Sequence, residues 1–98
     1  MSHSQQARYA AVVEQTKAWV VENFLYMRPD WPLDEETPLL RSGVVDSVGV
    51  IELVGYLERT FACHIPEREI TEENLGTLGA IGRFVARGGA AEPAQGVR

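Results

Sequence analysis

The sequence has one cysteine, two histidines and no apolar run longer than a few residues. The single cysteine, Cys63, excludes an internal disulfide, and no thiol-enzyme signature surrounds it, so we interpret it as a small packed hydrophobic residue. Neither a long apolar run nor a signal-peptide pattern is present, and the sequence therefore predicts a cytoplasmic protein without a membrane span. Cys63-His64 lacks a second Cys or His pair, which argues against a zinc site.

Positive charge is also in short supply. Nine basic residues stand against fourteen acidic ones, for a net charge of −5, and this argues against nucleic-acid binding, which needs a basic face. The excess lies in residues 30–61, which carry seven acidic and two basic residues. Charge alone leaves two explanations open, a basic partner that meets this segment or a merely solvated acidic surface. The run Asp34-Glu35-Glu36 lacks the pattern of a calcium loop.

What the sequence does contain predicts a single helical domain. With 98 residues, 45% of them hydrophobic, the chain can form one core but not two. Apolar residues spaced three and four apart predict an amphipathic helix from Ser4 to about Leu25. Prolines at positions 29, 32 and 38 predict that the helix ends there and that an ordered loop follows from Met27 to about Val45.

The second half of the chain predicts three more helices. Asp46 is expected to cap a helix that runs to about Phe61, Thr71 to Leu75 forms a short third helix, and Thr77 caps the last one. No stretch has the alternation of a strand. The predicted fold class is all-α, a four-helix bundle with a folded domain over residues 4–87 and a flexible tail over residues 88–98.

The apolar stripes of these helices predict a shared core. In the second helix, Ile51 and Leu53 are expected beside the apolar face. Gly49 and Gly55 lie inside the same helix, where they indicate either close approach of a partner or a tolerated weakness. The predicted core residues are Val13, Val20, Phe24, Leu53, Val54, Leu57, Phe61, Ile65, Ile81 and Val85.

The candidate chemical group is a serine at the start of the second helix. Ser47 follows a loop directly, so its hydroxyl is expected to be exposed beside free backbone N–H groups that favour a phosphate. Helix propensity alone favours a simpler explanation, in which Asp46 or Ser47 is only a cap. A serine hydrolase is excluded, because Val45 replaces the first glycine of Gly-x-Ser-x-Gly and only His3 and His64 could serve as the base.

A longer pattern surrounds this serine. It comprises Leu39-Leu40, the Ser42-Gly43 turn, Val44-Val45-Asp46-Ser47-Val48, Glu52-Leu53-Val54, Leu57-Glu58, Phe61 and Ile65-Pro66. Over about residues 6–87 the pattern resembles the acyl carrier and peptidyl carrier protein family. Asp46-Ser47-Val48 corresponds to the Asp-Ser-Leu-like triplet of that family, with valine in place of leucine. The resemblance implies an acyl-carrier-like bundle.

The resemblance also implies a function. Ser47 would receive a 4′-phosphopantetheine arm from coenzyme A through a magnesium-dependent phosphopantetheinyl transferase, and the thiol of the arm would carry an acyl or aminoacyl group as a thioester. Asp46 would help to orient the transferase and its metal. The face that meets partners would include Val48, Glu52, Gly55 and Glu58. The protein would be a monomer without catalytic activity of its own, and its other partners would be a loading ligase or acyltransferase and a downstream synthase or transferase.

Two departures from the family pattern bear on the subfamily. Gly49 stands where many fatty-acid carriers have an acidic residue, and Gly55 stands where a larger apolar residue often contacts partners. These features resemble free-standing carriers of bacterial secondary metabolism, of the polyketide or nonribosomal peptide type. The rival hypothesis is an unmodified helical adaptor that binds a basic protein through its acidic second helix.

Overall fold

The computed structural model describes residues 3–28 and 30–89, and this part of the chain contains four α-helices. A single 3₁₀ turn, Glu67–Glu69, precedes the third helix. The all-α prediction is confirmed: the described residues contain no strand, only an isolated bridge between His64 and Gly89. No helix among them is long and apolar enough to cross a membrane. The helices are α1 (His3–Phe24), α2 (Ser47–Phe61), α3 (Glu72–Leu75) and α4 (Leu78–Ala86).

The predicted tail begins within the described residues but lies mostly outside them. Gly88 and Gly89 form the turn that follows α4, and the N–H of Gly89 donates to the carbonyl of Phe84 at 3.0 Å. Both glycines have positive φ angles, 99° and 80°, a conformation that side chains disfavour. Residues 90–98 fall outside the described residues, and the predicted flexibility of the tail stays a prediction.

Side-chain caps begin three of the helices. Asp46, Thr71 and Thr77 each accept a hydrogen bond from the backbone N–H three residues later. Such a bond satisfies one of the donors that the first turn leaves without a partner. α2 ends where Ala62 adopts a left-handed conformation with φ of 53°. The predicted starts of these helices are confirmed.

Helices α1 and α2 lie antiparallel. The ring of Phe24, at the end of α1, packs against Gly49 in the first turn of α2. At the opposite end, Nη2 of Arg8 donates to the carbonyl of Phe61, the last residue of α2, at 3.2 Å. The C-terminal end of α1 therefore lies beside the N-terminal end of α2, where Ser47 is found.

Helix α4 packs closely on α1 because of a glycine. A Cβ on Gly82 would stand 2.7 Å from Cγ2 of Val13 and 2.8 Å from the ring of Tyr9. Those distances leave no room for a side chain. Nε of Arg8 also donates to the carbonyl of Val85 at 3.4 Å, so the last turn of α4 is joined to the start of α1.

The loop between α1 and α2 is held on both sides, and the ordered loop that the sequence predicts is confirmed. The N–H of Leu39 donates to the carbonyl of Gly76 at 2.8 Å, and the N–H of Gly79 donates to the carbonyl of Glu35 at 3.0 Å. The hydroxyl of Tyr9 in α1 donates to the carboxylate of Glu35. These bonds attach the loop to α1 and to the segment that contains α3 and α4. The buried apolar residues of the loop are Leu33, Leu39, Val44 and Val45.

Most of the predicted core is confirmed, with three corrections. Val13, Phe24 and Phe61 are only half-buried, and they pack against the buried cluster from outside it. Ile51, expected beside the apolar face, is 70% exposed. The confirmed core residues are Val20, Leu53, Val54, Leu57, Ile65, Ile81 and Val85, and the core also holds Val12, Leu25, Leu75, Leu78 and Phe84.

Candidate functional site

The backbone that leads into α2 is anchored in the core. Val44 is 5% exposed and Val45 is 1% exposed, and the N–H of Val45 donates to the carbonyl of Leu39 at 3.0 Å. Gly43, with φ of 84°, makes the turn that brings these valines inward. The chain therefore emerges from the core at a fixed point, one residue after Val45.

Asp46 and Ser47 occupy that point. Oδ1 of Asp46 accepts a hydrogen bond from the N–H of Gly49 at 2.7 Å. Ser47 is the first residue of α2 and is exposed. Among the described residues, neither the hydroxyl of Ser47 nor Oδ2 of Asp46 has a hydrogen-bond partner. The cap thus uses one oxygen of Asp46 and leaves the serine hydroxyl open to solvent.

An apolar surface adjoins the serine on α2. Val48 and Ile51 are both 70% exposed, Glu52 is exposed, and Gly55 is half-buried. Sequence reasoning placed Val48, Glu52 and Gly55 on this face but missed Ile51. A helical wheel would have found it, because a residue three positions after Val48 lies only about 60° away around the helix.

The two glycines of α2 have different surroundings. A Cβ on Gly49 would stand 2.8 Å from Cε1 of Phe24 and 3.0 Å from Cγ1 of Val45. Gly49 therefore accommodates an internal contact with α1, and the interpretation that it allows close approach of a partner is wrong. At Gly55 the near neighbour is Nη1 of Arg59, 3.0 Å from the Cβ position, which belongs to a flexible side chain.

Glu58 has a role inside the protein. Its Oε2 accepts a hydrogen bond from the N–H of Ile65 at 2.8 Å and lies 3.7 Å from Nδ1 of His64. The carboxylate is half-buried and joins α2 to the segment that follows it. Partner binding by Glu58 stays a prediction, and one of its oxygens is already engaged.

Cys63 and His64 form no reactive pair with Ser47. Cys63 is half-buried, and its Sγ lies 3.6 Å from the carbonyl of Leu57, to which it donates. Burial, with the nearby charge of Glu58, raises the pKa of the thiol, so Cys63 is a poor nucleophile. The described part of the chain has no group of three or more His, Cys, Asp and Glu side chains placed to hold a metal ion.

A small cleft lies between α2 and the segment around α3. Its volume is about 80 Å³, and its apolar lining includes Leu40, Val50, Ile70 and Leu75. Glu72 also borders the cleft, and its Oε2 lies 2.7 Å from Nη2 of Arg41. Sequence reasoning did not predict this cleft, since it forms only where three distant segments meet.

The geometry is that of a small helical protein that presents an exposed serine hydroxyl at a helix start. A family model described as a phosphopantetheine attachment site matches residues 21–85, which is well over half of the chain. The protein therefore belongs to this family of carrier proteins, whose members hold a covalently attached 4′-phosphopantetheine. No curated protein matches the chain. Carriers of this family generally lack catalytic activity and interact with phosphopantetheinyl transferases and synthases.

Proposed function

We propose that Ser47 is the residue to which the 4′-phosphopantetheine arm is attached. The observation that carries this assignment is the exposed hydroxyl at the first position of α2, directly after the cap Asp46. Ser47 also lies within residues 21–85, the segment that the family model matches. The other described serines are less suited: Ser42 is half-buried and donates to the carbonyl of Leu39 at 3.4 Å, while Ser4 is in the first turns of α1.

The surroundings of Ser47 fit a phosphodiester. The N-terminal end of a helix carries partial positive charge, which stabilises an attached phosphate. The first-turn N–H of Gly49 is already occupied by Asp46, so this stabilisation comes from the helix end as a whole. Because Val45 is buried, the backbone next to Ser47 holds the attachment point still.

Arm transfer requires the serine oxygen as nucleophile. Oγ of Ser47 bonds to the phosphorus next to the pantetheine part of coenzyme A, and the bond from that phosphorus to the diphosphate bridging oxygen breaks. Adenosine 3′,5′-diphosphate leaves, and the hydroxyl proton passes to a base of the transferase. Because the cap uses only Oδ1 of Asp46, we assign to Oδ2 the role of helping to orient the transferase and its metal.

The attached arm supplies a thiol that holds an acyl or aminoacyl group as a thioester. The residues of this chain then position the arm and contact enzymes, while the chemistry belongs to the prosthetic group and to its partners. Gly49 and Gly55 support assignment to free-standing carriers of bacterial secondary metabolism, of the polyketide or nonribosomal peptide type. In that assignment the protein is a cytoplasmic monomer that is loaded by a ligase or acyltransferase.

The docking surface for these enzymes is the exposed face of α2. Val48 and Ile51 supply apolar area beside Ser47, and Glu52 supplies charge. Complementary charge steers the approach of a basic partner, and apolar contact holds it once it has docked. Gly55 lies on the same face, and Glu58 lies at its edge.

Intact-mass measurement after co-expression with a promiscuous phosphopantetheinyl transferase tests this function. The parent chain should gain one phosphopantetheine, Ser47→Ala should gain none, and the control Ser42→Ala should be modified like the parent. An unchanged parent mass would support the unmodified adaptor, and modification of Ser47→Ala would refute the assignment of the site.

A further inference from the structure

The ring of Phe24, the last residue of α1, is in contact with both α1 and α2. Its Cε1 and Cζ lie 2.8 Å and 3.0 Å from the point that a Cβ of Gly49 would occupy. Trp19 meets the same ring edge-on, with centroids 5.5 Å apart, and stacks on Tyr56 of α2 at 4.7 Å. The half-buried ring is therefore supported by a row of aromatic side chains that belongs to both helices, and it has little freedom to move away from Gly49.

Gly49 connects this ring to the backbone that carries Ser47. The N–H of Gly49 donates to Oδ1 of Asp46 at 2.7 Å, and the N–H of Val50 donates to the carbonyl of Asp46 at 3.0 Å. Ser47 lies between the two residues that the first bond joins. A displacement of Gly49 would therefore disturb the cap and move Ser47 with it.

The first turn of α2 is held at two points, one on each side of Ser47. Before the serine, Val45 is buried in the core. After the serine, Gly49 lies against Phe24, and Cγ1 of Val45 is 3.0 Å from the same Cβ position of Gly49. Val45 fixes where the chain leaves the core, whereas Phe24 is the contact through which α1 fixes the turn that follows. Loss of the ring would leave the second point without its support from α1.

We propose that Phe24 is a positioning residue for arm transfer, one that holds Oγ of Ser47 in the geometry that attack on coenzyme A requires. The inference rests on the proposed function of Ser47. In that step the bond from Oγ to phosphorus forms, adenosine 3′,5′-diphosphate leaves, and the hydroxyl proton passes to a base of the transferase, so the attacking and leaving oxygens must lie in line. Misplacement of a reacting atom by about 1 Å can slow a reaction about a hundredfold. Phe24 acts through Gly49 and Asp46, so its loss should affect kcat more than KM.

The test is a steady-state assay of arm transfer to the full-length protein by a promiscuous phosphopantetheinyl transferase, with intact mass as the readout. Phe24→Ala should lower kcat by about tenfold and leave the KM for the carrier nearly unchanged, because Ile51 and Glu52 of the docking surface lie beyond the first turn. The matched control is Phe61→Ala, another half-buried ring at a helix end, which lies in the same aromatic row. It stands about 21 Å along α2 from Ser47 and should keep the kcat of the parent.

A volume exchange at the contact gives a second readout. Gly49→Ala places a methyl group where the edge of the ring lies and should lower kcat as well. Leucine lacks the atoms that correspond to Cε1 and Cζ, so Gly49→Ala combined with Phe24→Leu should recover most of the lost kcat. Amide exchange of the unmodified protein reports on the cap: the N–H of Gly49 should exchange faster in Phe24→Ala than in the parent, and Phe61→Ala should not change it. Circular dichroism checks that each variant is folded.

Four outcomes would overturn the inference. Phe24→Ala could lose no more kcat than Phe61→Ala does, or it could raise KM alone, which would make Phe24 part of the docking surface. The combined variant could remain as slow as Gly49→Ala, or the N–H of Gly49 could exchange equally fast in Phe24→Ala and the parent. Failure of the proposed function is distinguishable from all four, because the parent itself would then gain no arm or Ser47→Ala would be modified.

Discussion

The ring of Phe24 at the end of α1 lies against the backbone of Gly49 in the first turn of α2, so close that a Cβ on Gly49 would stand 2.8 Å from Cε1. This contact sets the distance between the two helix ends at the point where Ser47 emerges. A glycine in a helix interior costs about 1 kcal/mol relative to alanine. At position 49 that cost is offset by a contact that alanine could not make.

The two glycines of α2 should therefore respond differently to alanine. Gly55→Ala should raise the free energy of unfolding by about 0.5–1 kcal/mol, because only the mobile end of Arg59 must shift. Gly49→Ala should lower it by up to about 2 kcal/mol, since displacing Phe24 and the buried Val45 outweighs the gain in helix propensity. Urea denaturation measures both changes. Equal increases in the free energy of unfolding of the two variants would show that Phe24 moves aside freely.

Burial predicts which aromatic residue matters most for stability. Phe84 is 1% exposed, so Phe84→Ala should cost about 3–5 kcal/mol. Phe61 is half-buried and contacts Tyr56 edge-on, with ring centroids 6.1 Å apart. Phe61→Ala should cost clearly less, contrary to the expectation from its apolar spacing. The comparison needs only denaturation curves of the two variants, and a larger loss at Phe61 would contradict it.

Helix positions were predictable because their signals are local. A cap such as Asp46 or Thr77 and a stripe of apolar residues act within a few turns, and the structure begins and ends the helices close to the predicted residues. The degree of burial was less predictable. Phe61 and Phe84 have similar spacing patterns, but only the packing of α4 on α1 decides that Phe84 is enclosed.

The residues of the candidate site could also be predicted only in part from the sequence. Asp46 and Ser47 could be placed at a helix start from sequence, because a cap residue precedes an amphipathic stripe there. The hydrogen bond from the N–H of Ile65 to Glu58 could not be predicted, because it depends on how the chain turns after Ala62.

Measurements at several salt concentrations should show whether the charge of Glu52 steers the approach of the transferase or only affects the solubility of the protein. Glu52→Lys should slow arm transfer by roughly threefold at low ionic strength, because a charge on the docking face affects the encounter rate more than the bound state. The difference should shrink as salt screens the charge. Glu14→Lys, an equal change on the exposed side of α1, is the control. Initial rates across a salt series provide the measurement, and coincident low-salt rates for the two variants would place recognition elsewhere.

The bond from Tyr9 to Glu35 predicts a loss of stability in alkali. This hydrogen bond, then partial burial and the charge of Glu35, raise the pKa of Tyr9 above its usual value near 10. A raised pKa in the folded state means that the contribution to stability is full below the unfolded pKa and is lost as the pH rises through the folded one.

Tyr9→Phe should therefore flatten the alkaline fall in thermal stability and, at neutral pH, cost about 0.5–1.5 kcal/mol for the lost hydrogen bond. Thermal melts of the parent and the variant over a pH series above neutrality measure both effects. Tyr26→Phe, a change at an exposed residue, is the control. If the parent and Tyr9→Phe decline in parallel, Tyr9 does not hold the loop.

The two hydrogen bonds from Arg8 to the carbonyls of Phe61 and Val85 gather the start of α1 and the end of α4 at one end of the molecule. Sixteen residues of α1 separate Arg8 from Phe24, so that end stands roughly 24 Å from the serine. A fluorescent label on an exposed side chain at that end, such as Gln6, would therefore stand on the far side of the described fold from Ser47. Such a label would report on binding at its own end of the molecule without covering the serine.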